Sequence, residues 1–100
     1  VLVDDLIDTG GTIAEAVRVC LESGAKDVIV AATHGVLSPP ASTRLNECCA
    51  REVVVTDTLP ITEAQQFEKL TVLSIAPLLA QTIREVFENG SVTSLFDGNA

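Results

Sequence analysis

The first twelve residues constrain the fold of this chain more than any other segment. A short apolar run meets two acids, Asp4 and Asp5, and the glycines Gly10 and Gly11 follow just before a helical pattern begins. This order predicts a strand that runs into a tight loop, from which a helix starts. The glycines favour a tight loop because they permit backbone angles forbidden to other residues and let a ligand approach the main chain.

The chemistry of this segment favours a phosphorylated ligand that carries hydroxyl groups. Backbone N–H groups at the start of a helix form a ready anion site. The hydroxyls of Thr9 and Thr12 add donors for phosphate oxygens. The carboxylates of Asp4 and Asp5 suit the hydroxyls of a polyol or a hydrated Mg²⁺ ion. Taken alone, the Thr-Gly-Gly-Thr run is also compatible with an ordinary strand-to-helix turn.

The rest of the chain alternates helical and strand patterns. An amphipathic helix is predicted over 12–23, with Thr12 and Glu15 as a capping box and Gly24 as the C-terminal stop. The later predicted elements are a strand over 27–33, a short helix from Pro39 or Pro40 to about Cys49, strands over 52–56 and 71–75, and a helix from Pro77 to Asn89–Gly90. This order predicts right-handed crossovers and an α/β fold in three layers, a mainly parallel sheet with helices on both faces.

Ligands of such sheets bind at the carboxyl ends of the strands. Three polar features fall there: the loop over residues 4–12, His34, and the corner at Thr56–Asp57. His34 has two readings, a site-lining residue or a structural, hydrogen-bonded histidine, and it is left outside the predicted site. For Asp57 and Thr58 a capped turn is favoured over a ligand contact.

Composition narrows the classes of partner. The chain has 14 acids and 6 basic residues, a net charge of -8, which disfavours nucleic acid. No run is long and apolar enough to span a membrane. Cys20, Cys48 and Cys49 have no metal or redox spacing and are expected to be reduced, structural thiols. Because the chain starts at Val1, without Met and inside a strand, we expect a piece of one domain from a longer protein.

The first motif resembles the phosphoribosyl-binding motif shared by type I phosphoribosyltransferases and ribose-phosphate diphosphokinases. Later blocks resemble the diphosphokinases of bacterial type, in their C-terminal portion. These blocks are Ala32-Thr-His-Gly-Val-Leu-Ser38, Pro40-Ala41 with Arg44-Leu-Asn46, Val53-Val-Val-Thr-Asp-Thr-Leu-Pro60, Val72-Leu-Ser-Ile-Ala-Pro-Leu-Leu-Ala80 and Asn89-Gly-Ser-Val-Thr-Ser-Leu-Phe96. The resemblance covers essentially the whole chain. One departure is the run Ser38-Pro39-Pro40, where many members have Gly before the proline.

The resemblance implies transfer of a diphosphoryl group from ATP to the 1-hydroxyl of ribose 5-phosphate, with Mg²⁺, to give 5-phosphoribosyl 1-diphosphate for nucleotide biosynthesis. It implies that Asp4 and Asp5 hold the ribose hydroxyls, directly or through the metal. The residues that it assigns to the 5-phosphate are Asp8, Thr9, Gly10, Gly11 and Thr12. The family's ATP-binding and cationic catalytic elements lie upstream, so we expect this piece to be inactive alone and assign it no catalytic residue.

The same resemblance implies a cytoplasmic homo-oligomer, a hexamer in the family, that ADP regulates. It places an allosteric nucleotide site at Ser91, Thr93 and Phe96, at a subunit contact. Thr93 stands where Ser is common and keeps the hydroxyl donor.

Two other functions remain open at this point. One is a non-catalytic, regulatory relative that assembles with active subunits. The other is a type I phosphoribosyltransferase, which the diphosphokinase blocks beyond residue 30 disfavour. The sequence upstream of Val1 distinguishes an active enzyme from a silent relative. A loop that carries Lys and Arg there would indicate the active enzyme, and its absence would indicate the silent relative.

Overall fold

The computed structural model describes residues 1–88. The predicted helix end at 89–90 and the predicted nucleotide-site residues Ser91, Thr93 and Phe96 lie outside the described residues. The elements, in chain order, are β1 (Leu2–Ile7), α1 (Gly11–Glu22), β2 (Ile29–Gly35), α2 (Ala41–Glu47), β3 (Glu52–Thr56), a 3-10 turn (Glu63–Gln65), β4 (Leu70–Leu73) and α3 (Ala76–Phe87).

Within the described residues, four parallel strands form one sheet in the order β1-β2-β3-β4. The α/β class and the parallel sheet predicted from the sequence are confirmed. Each right-handed crossover steps the same way across the sheet, so α1 and α2 lie on the same face. The core between these layers is apolar throughout. Its buried residues are Ile7, Ile13, Val17, Val28, Val30, Ala32, Leu37, Ala41, Leu45, Ala50, Val53 and Val55.

Helix α1 is amphipathic as predicted, but its start differs from the prediction. The N-cap is Gly10, in the left-handed conformation, and no side chain caps the helix. The predicted capping box is therefore wrong, because Thr12 already lies inside the helix and Glu15 instead pairs with Arg18. The C-terminal stop at Gly24 is confirmed by a positive φ of 109°.

Helix α2 also begins later than the prolines suggest. Pro40 is its N-cap and Ala41 its first residue, so neither proline forms part of the first turn. Ala41 and Leu45 are fully buried and fix the helix against the core. Strand β4 begins and ends earlier than predicted, at Leu70 and Leu73.

The second face of the sheet is open over the described residues, as expected of part of a domain. Val3 is 78% exposed on β1, and Ala31 and Val54, its neighbours on that face by register, are half-buried. Helix α3 buries none of its residues, and Phe87 is 86% exposed. None of the helices in residues 1–88 has the length and apolar content needed to cross a bilayer.

Candidate functional site at the carboxyl edge of the sheet

The loop between β1 and α1 is anchored to the core from beneath. The carbonyl of Ile7, at the end of β1, accepts hydrogen bonds from the amides of Val36 and Leu37, both at 3.0 Å. Gly10 then adopts φ 80°, ψ -1°. A Cβ on Gly10 would lie 3.1 Å from Cγ of Leu45. The positive φ of Gly10 agrees with the special backbone angle expected of this glycine, and the contact with Leu45 adds core packing as a second reason for it.

Helix α1 presents unpaired amides to this loop. Its first internal hydrogen bond runs from the Ala14 amide to the Gly10 carbonyl, at 2.9 Å. The amides of Gly11, Thr12 and Ile13 have no acceptor among residues 1–88. The first amides of a helix lie at the positive end of its dipole and need partners. A ligand that offers several acceptor oxygens and negative charge satisfies both requirements.

A cleft of about 260 Å³ opens beside these amides. One continuous segment, residues 4–13, lines it. The structure thus brings together every residue that the sequence assigned to the substrate. These residues are Asp4, Asp5, Asp8, Thr9, Gly10, Gly11 and Thr12. The hydroxyls of Thr9 and Thr12 have no hydrogen-bond partner in the described part of the chain, so both can serve a bound ligand.

Asp4 and Asp5 form an exposed acid pair in β1, beside the cleft. Oδ1 of Asp4 accepts from the Asp5 amide, and Oδ1 of Asp5 accepts from the Leu6 amide, each at 2.8 Å. Hydrogen bonding from the Asp4 side chain and from the Leu6 amide lowers the pKa of Asp5. In each carboxylate one oxygen accepts from a backbone amide, and the exposed pair can still accept from ligand hydroxyls or bind a cation.

The acid pair fits Mg²⁺ in one respect. Among residues 1–88, no three His, Cys, Asp or Glu side chains gather closely enough to hold a metal ion. Mg²⁺ needs no such protein cage, because it commonly binds one or two carboxylates and completes its shell with substrate oxygens and water. Cys20, Cys48 and Cys49 are free thiols and form no disulfide within the described residues.

Sequence reasoning missed Arg44 of α2. Its Nη1 donates to the Thr9 carbonyl at 3.1 Å. A Cβ on Gly11 would lie 2.9 Å from the same Nη1. Residues 9 and 44 are 35 positions apart, and only the packing of α2 beside the loop brings them together. The available sequence signal was that Arg44 directly precedes the apolar Leu45 in a short helix. A buried Leu45 fixes the position of its neighbour Arg44.

The other polar features of this edge form a closed network. Nδ1 of His34 lies 2.7 Å from Oγ1 of Thr58, and Oγ1 of Thr56 donates to the Thr33 carbonyl at 2.7 Å. Oδ1 of Asp57 accepts from the Ile75 amide at 2.8 Å, just before α3, and this bond lowers the pKa of Asp57. These contacts favour structural roles for the His34 ring and the Asp57 corner.

A family model described as "Phosphoribosyl synthetase-associated domain" matches residues 1–97 of the chain. A ribose-phosphate pyrophosphokinase of Mycobacterium tuberculosis is 71% identical over all 100 residues, and that of Corynebacterium glutamicum is 63% identical over the same span. The chain covers 31% and 30% of these relatives, so it spans about a third of their length. A crystal structure of phosphoribosylpyrophosphate synthetase from Mycobacterium smegmatis superposes with a TM-score of 0.84 at 74% identity, over 89% of this chain and 30% of that one.

Proposed function

Since this chain belongs to the phosphoribosyl synthetase-associated domain family, we propose that it forms the ribose 5-phosphate site of a longer ribose-phosphate pyrophosphokinase. The whole enzyme would transfer the diphosphoryl group of ATP to the 1-hydroxyl of ribose 5-phosphate, releasing AMP. The observation that carries the proposal is the set of unpaired amides at Gly11, Thr12 and Ile13 beside the cleft. The names of the relatives agree with this substrate.

In this site the sugar phosphate binds in two parts. The 5-phosphate accepts hydrogen bonds from the amides that begin α1 and from the hydroxyls of Thr9 and Thr12. The ribose hydroxyls donate to the carboxylates of Asp4 and Asp5. Asp8, which also lines the cleft and is exposed, belongs to the same 5-phosphate loop. The loop thus fixes one end of the sugar, and the acid pair orients the hydroxyls.

Asp4 and Asp5 are also the residues that would hold Mg²⁺, together with oxygens of the substrate. When bound, the ion neutralises negative charge and orients phosphate oxygens. The carboxylates themselves keep the cation near the sugar, and the lowered pKa of Asp5 favours its ionised form. Both acids are exposed, so their role is in binding rather than in the core.

The remaining catalytic groups would come from other parts of the longer enzyme. Phosphoryl transfer depends on positioning and on positive charge around the phosphates. This chain carries a net charge of -8 and only six basic residues. We therefore propose that the 100 residues alone bind the sugar phosphate without turning it over. The position of the chain at the carboxyl end of that enzyme stays a prediction from the resemblance, and the coding sequence on both sides of this segment tests it.

Regulation by ADP and assembly into a homo-oligomer are further parts of the proposal. They rest on the resemblance of Ser91, Thr93 and Phe96 to a regulatory nucleotide site at a subunit contact. The three free thiols agree with action in the reducing cytoplasm. Truncating the full-length enzyme after Gly90 should blunt inhibition by ADP and weaken assembly while ribose 5-phosphate binding persists. Inhibition curves and sedimentation of the truncated enzyme test this, and normal inhibition of an intact oligomer would contradict it.

Phosphorus NMR of the full-length enzyme with ATP, Mg²⁺ and ribose 5-phosphate tests the proposed reaction. The expected products are 5-phosphoribosyl 1-diphosphate and AMP in equal amounts. A type I phosphoribosyltransferase would instead consume 5-phosphoribosyl 1-diphosphate and release diphosphate when it is given a base. A regulatory relative would leave ATP unchanged, and either outcome would overturn the proposal.

A further inference from the structure

Arg44 reaches the phosphate loop from a rigid element. Its neighbour Leu45 is fully buried and packs against the loop at Gly10. The Arg44 amide donates to the Pro40 carbonyl at 2.9 Å, within the first turn of α2. The backbone of Arg44 is therefore held by the core, although its side chain is exposed. The guanidinium group extends from this fixed point to the Thr9 carbonyl.

The charge of Arg44 is used differently from that of the other arginines. Arg18 pairs with two glutamates, Arg51 with Asp27 and Arg84 with Glu88. In the described part of the chain, Arg44 has no carboxylate within ion-pair distance. Its one side-chain hydrogen bond there goes to a backbone carbonyl of the loop. In a chain with net charge -8, an arginine held against the backbone of this loop, with no ion-pair partner among residues 1–88, supplies positive charge next to the phosphate loop.

Arg44 does not line the cleft formed by residues 4–13. It lines the groove between α1 and α2 instead, and Gly11 lines both this groove and the cleft. In a planar trans peptide, the C=O and the following N–H point in opposite directions. Since Arg44 holds the Thr9 carbonyl, the Gly10 N–H points away from Arg44. Gly10 itself lines the cleft, and its amide has no acceptor among residues 1–88.

We infer that Arg44 is a positioning residue of the ribose 5-phosphate site. By binding the Thr9 carbonyl it directs the Gly10 amide toward the cleft, as a fourth backbone donor beside those of Gly11, Thr12 and Ile13. It also adds positive charge behind the loop. Gly11 supports the same contact, because a Cβ at this position would lie 2.9 Å from Nη1 of Arg44 and would force the guanidinium group to move. This inference rests on the proposed function.

The test uses the full-length enzyme and the variants Arg44→Ala, Gly11→Ala and the double variant, with calorimetry of ribose 5-phosphate binding. Arg44→Ala should weaken ribose 5-phosphate binding about tenfold, the scale of one hydrogen bond from a charged group. The KM for ATP and the melting temperature should hardly change, because the side chain is exposed. Gly11→Ala should cause a similar loss by displacing the flexible end of Arg44. The double variant should be no worse than the single variants, because both remove one interaction.

Two controls separate the possible failures. Arg51→Ala removes an exposed, ion-paired arginine that directly precedes β3, at the amino ends of the strands and away from the phosphate loop. This variant should leave ribose 5-phosphate affinity unchanged. Asp5→Asn removes a charge from the proposed sugar site itself. If Asp5→Asn weakens binding but Arg44→Ala does not, the role of Arg44 is overturned and the site stands. If the losses of affinity from Arg44→Ala and Gly11→Ala multiply in the double variant, the role of Arg44 is overturned as well. If Asp5→Asn binds like the wild type, the proposed site itself is wrong.

Discussion

Two polar corners lie at the carboxyl edge of the same sheet, and they differ in how their hydrogen bonds are used. The corner after β3 is closed: Asp57 accepts from the Ile75 amide, and Thr56 donates to the Thr33 carbonyl. The loop after β1 is open: the amides of Gly11 and Thr12 have no acceptor among residues 1–88. Aspartate and threonine occur in both places, so residue type alone does not separate them.

The binding loop is therefore distinguished by hydrogen-bonding groups that the fold leaves unpaired. The carboxylate of Asp57 helps join β3 to the start of α3, and the Ile75 amide is the largest cause of its lowered pKa. The acids of β1 use one oxygen each on a neighbouring amide and stay exposed. An unpaired donor costs free energy unless a ligand or water meets it. The loop therefore gains from a ligand, whereas the corner after β3 does not.

The largest effect is expected for Gly10→Val in the full-length enzyme. Valine is strained at φ 80° and would press on Leu45, which together cost about 2–5 kcal/mol of the free energy of unfolding. The displaced loop should weaken ribose 5-phosphate binding by about a hundredfold, and ATP binding much less. Calorimetry with each substrate measures both.

The matched control is Gly24→Val, at the far end of α1. Gly24 also has a positive φ, but nothing lies within 4 Å of its Cβ position. This variant should lose stability and keep its affinity for ribose 5-phosphate. Equal losses of affinity in the two variants would mean that α1 as a whole, rather than the loop, determines binding.

The next largest effect concerns the acids. Asp4→Ala or Asp5→Ala should weaken binding of ribose 5-phosphate or Mg²⁺ by about tenfold to a hundredfold, with the fold intact because both side chains are exposed. Asp57→Ala should leave substrate affinity unchanged and lower the melting temperature, since it breaks the bond to Ile75. If the Asp4 and Asp5 variants melt early and bind normally, these acids stabilise the fold and the binding role assigned to them is wrong.

The smallest effect separates two threonines. Thr12→Ala removes a hydroxyl that has no partner within the described residues, and should weaken ribose 5-phosphate binding by about twofold to tenfold. Thr56→Ala removes the donor to the Thr33 carbonyl, and should cost about 1 kcal/mol of the free energy of unfolding without changing affinity. Thermal melts and calorimetry on the same two proteins give both quantities. A loss of affinity in Thr56→Ala alone would reverse the comparison.

The sequence was sufficient for the parts of this account that depend on local pattern. Apolar runs indicated the strands, and the Gly-Gly loop indicated the turn into α1. The helix start was misplaced because a left-handed glycine N-cap leaves no side-chain signature, whereas Thr12 and Glu15 imitate one. Arg44 was missed because its contact with Thr9 spans 35 residues and depends on how α2 packs. The packing of Leu45 on Gly10 is a tertiary contact of the same kind.

A crystal structure of the full-length enzyme with ribose 5-phosphate shows directly whether the amides of α1 bind the phosphate. We expect phosphate oxygens about 2.7–3.2 Å from the amide nitrogens of Gly11, Thr12 and Ile13, the range of ordinary hydrogen bonds. We also expect ribose hydroxyls, or an ion bound to them, on Asp4 and Asp5. A phosphate bound elsewhere, with the amides of α1 capped by another part of the enzyme, would contradict the proposed site.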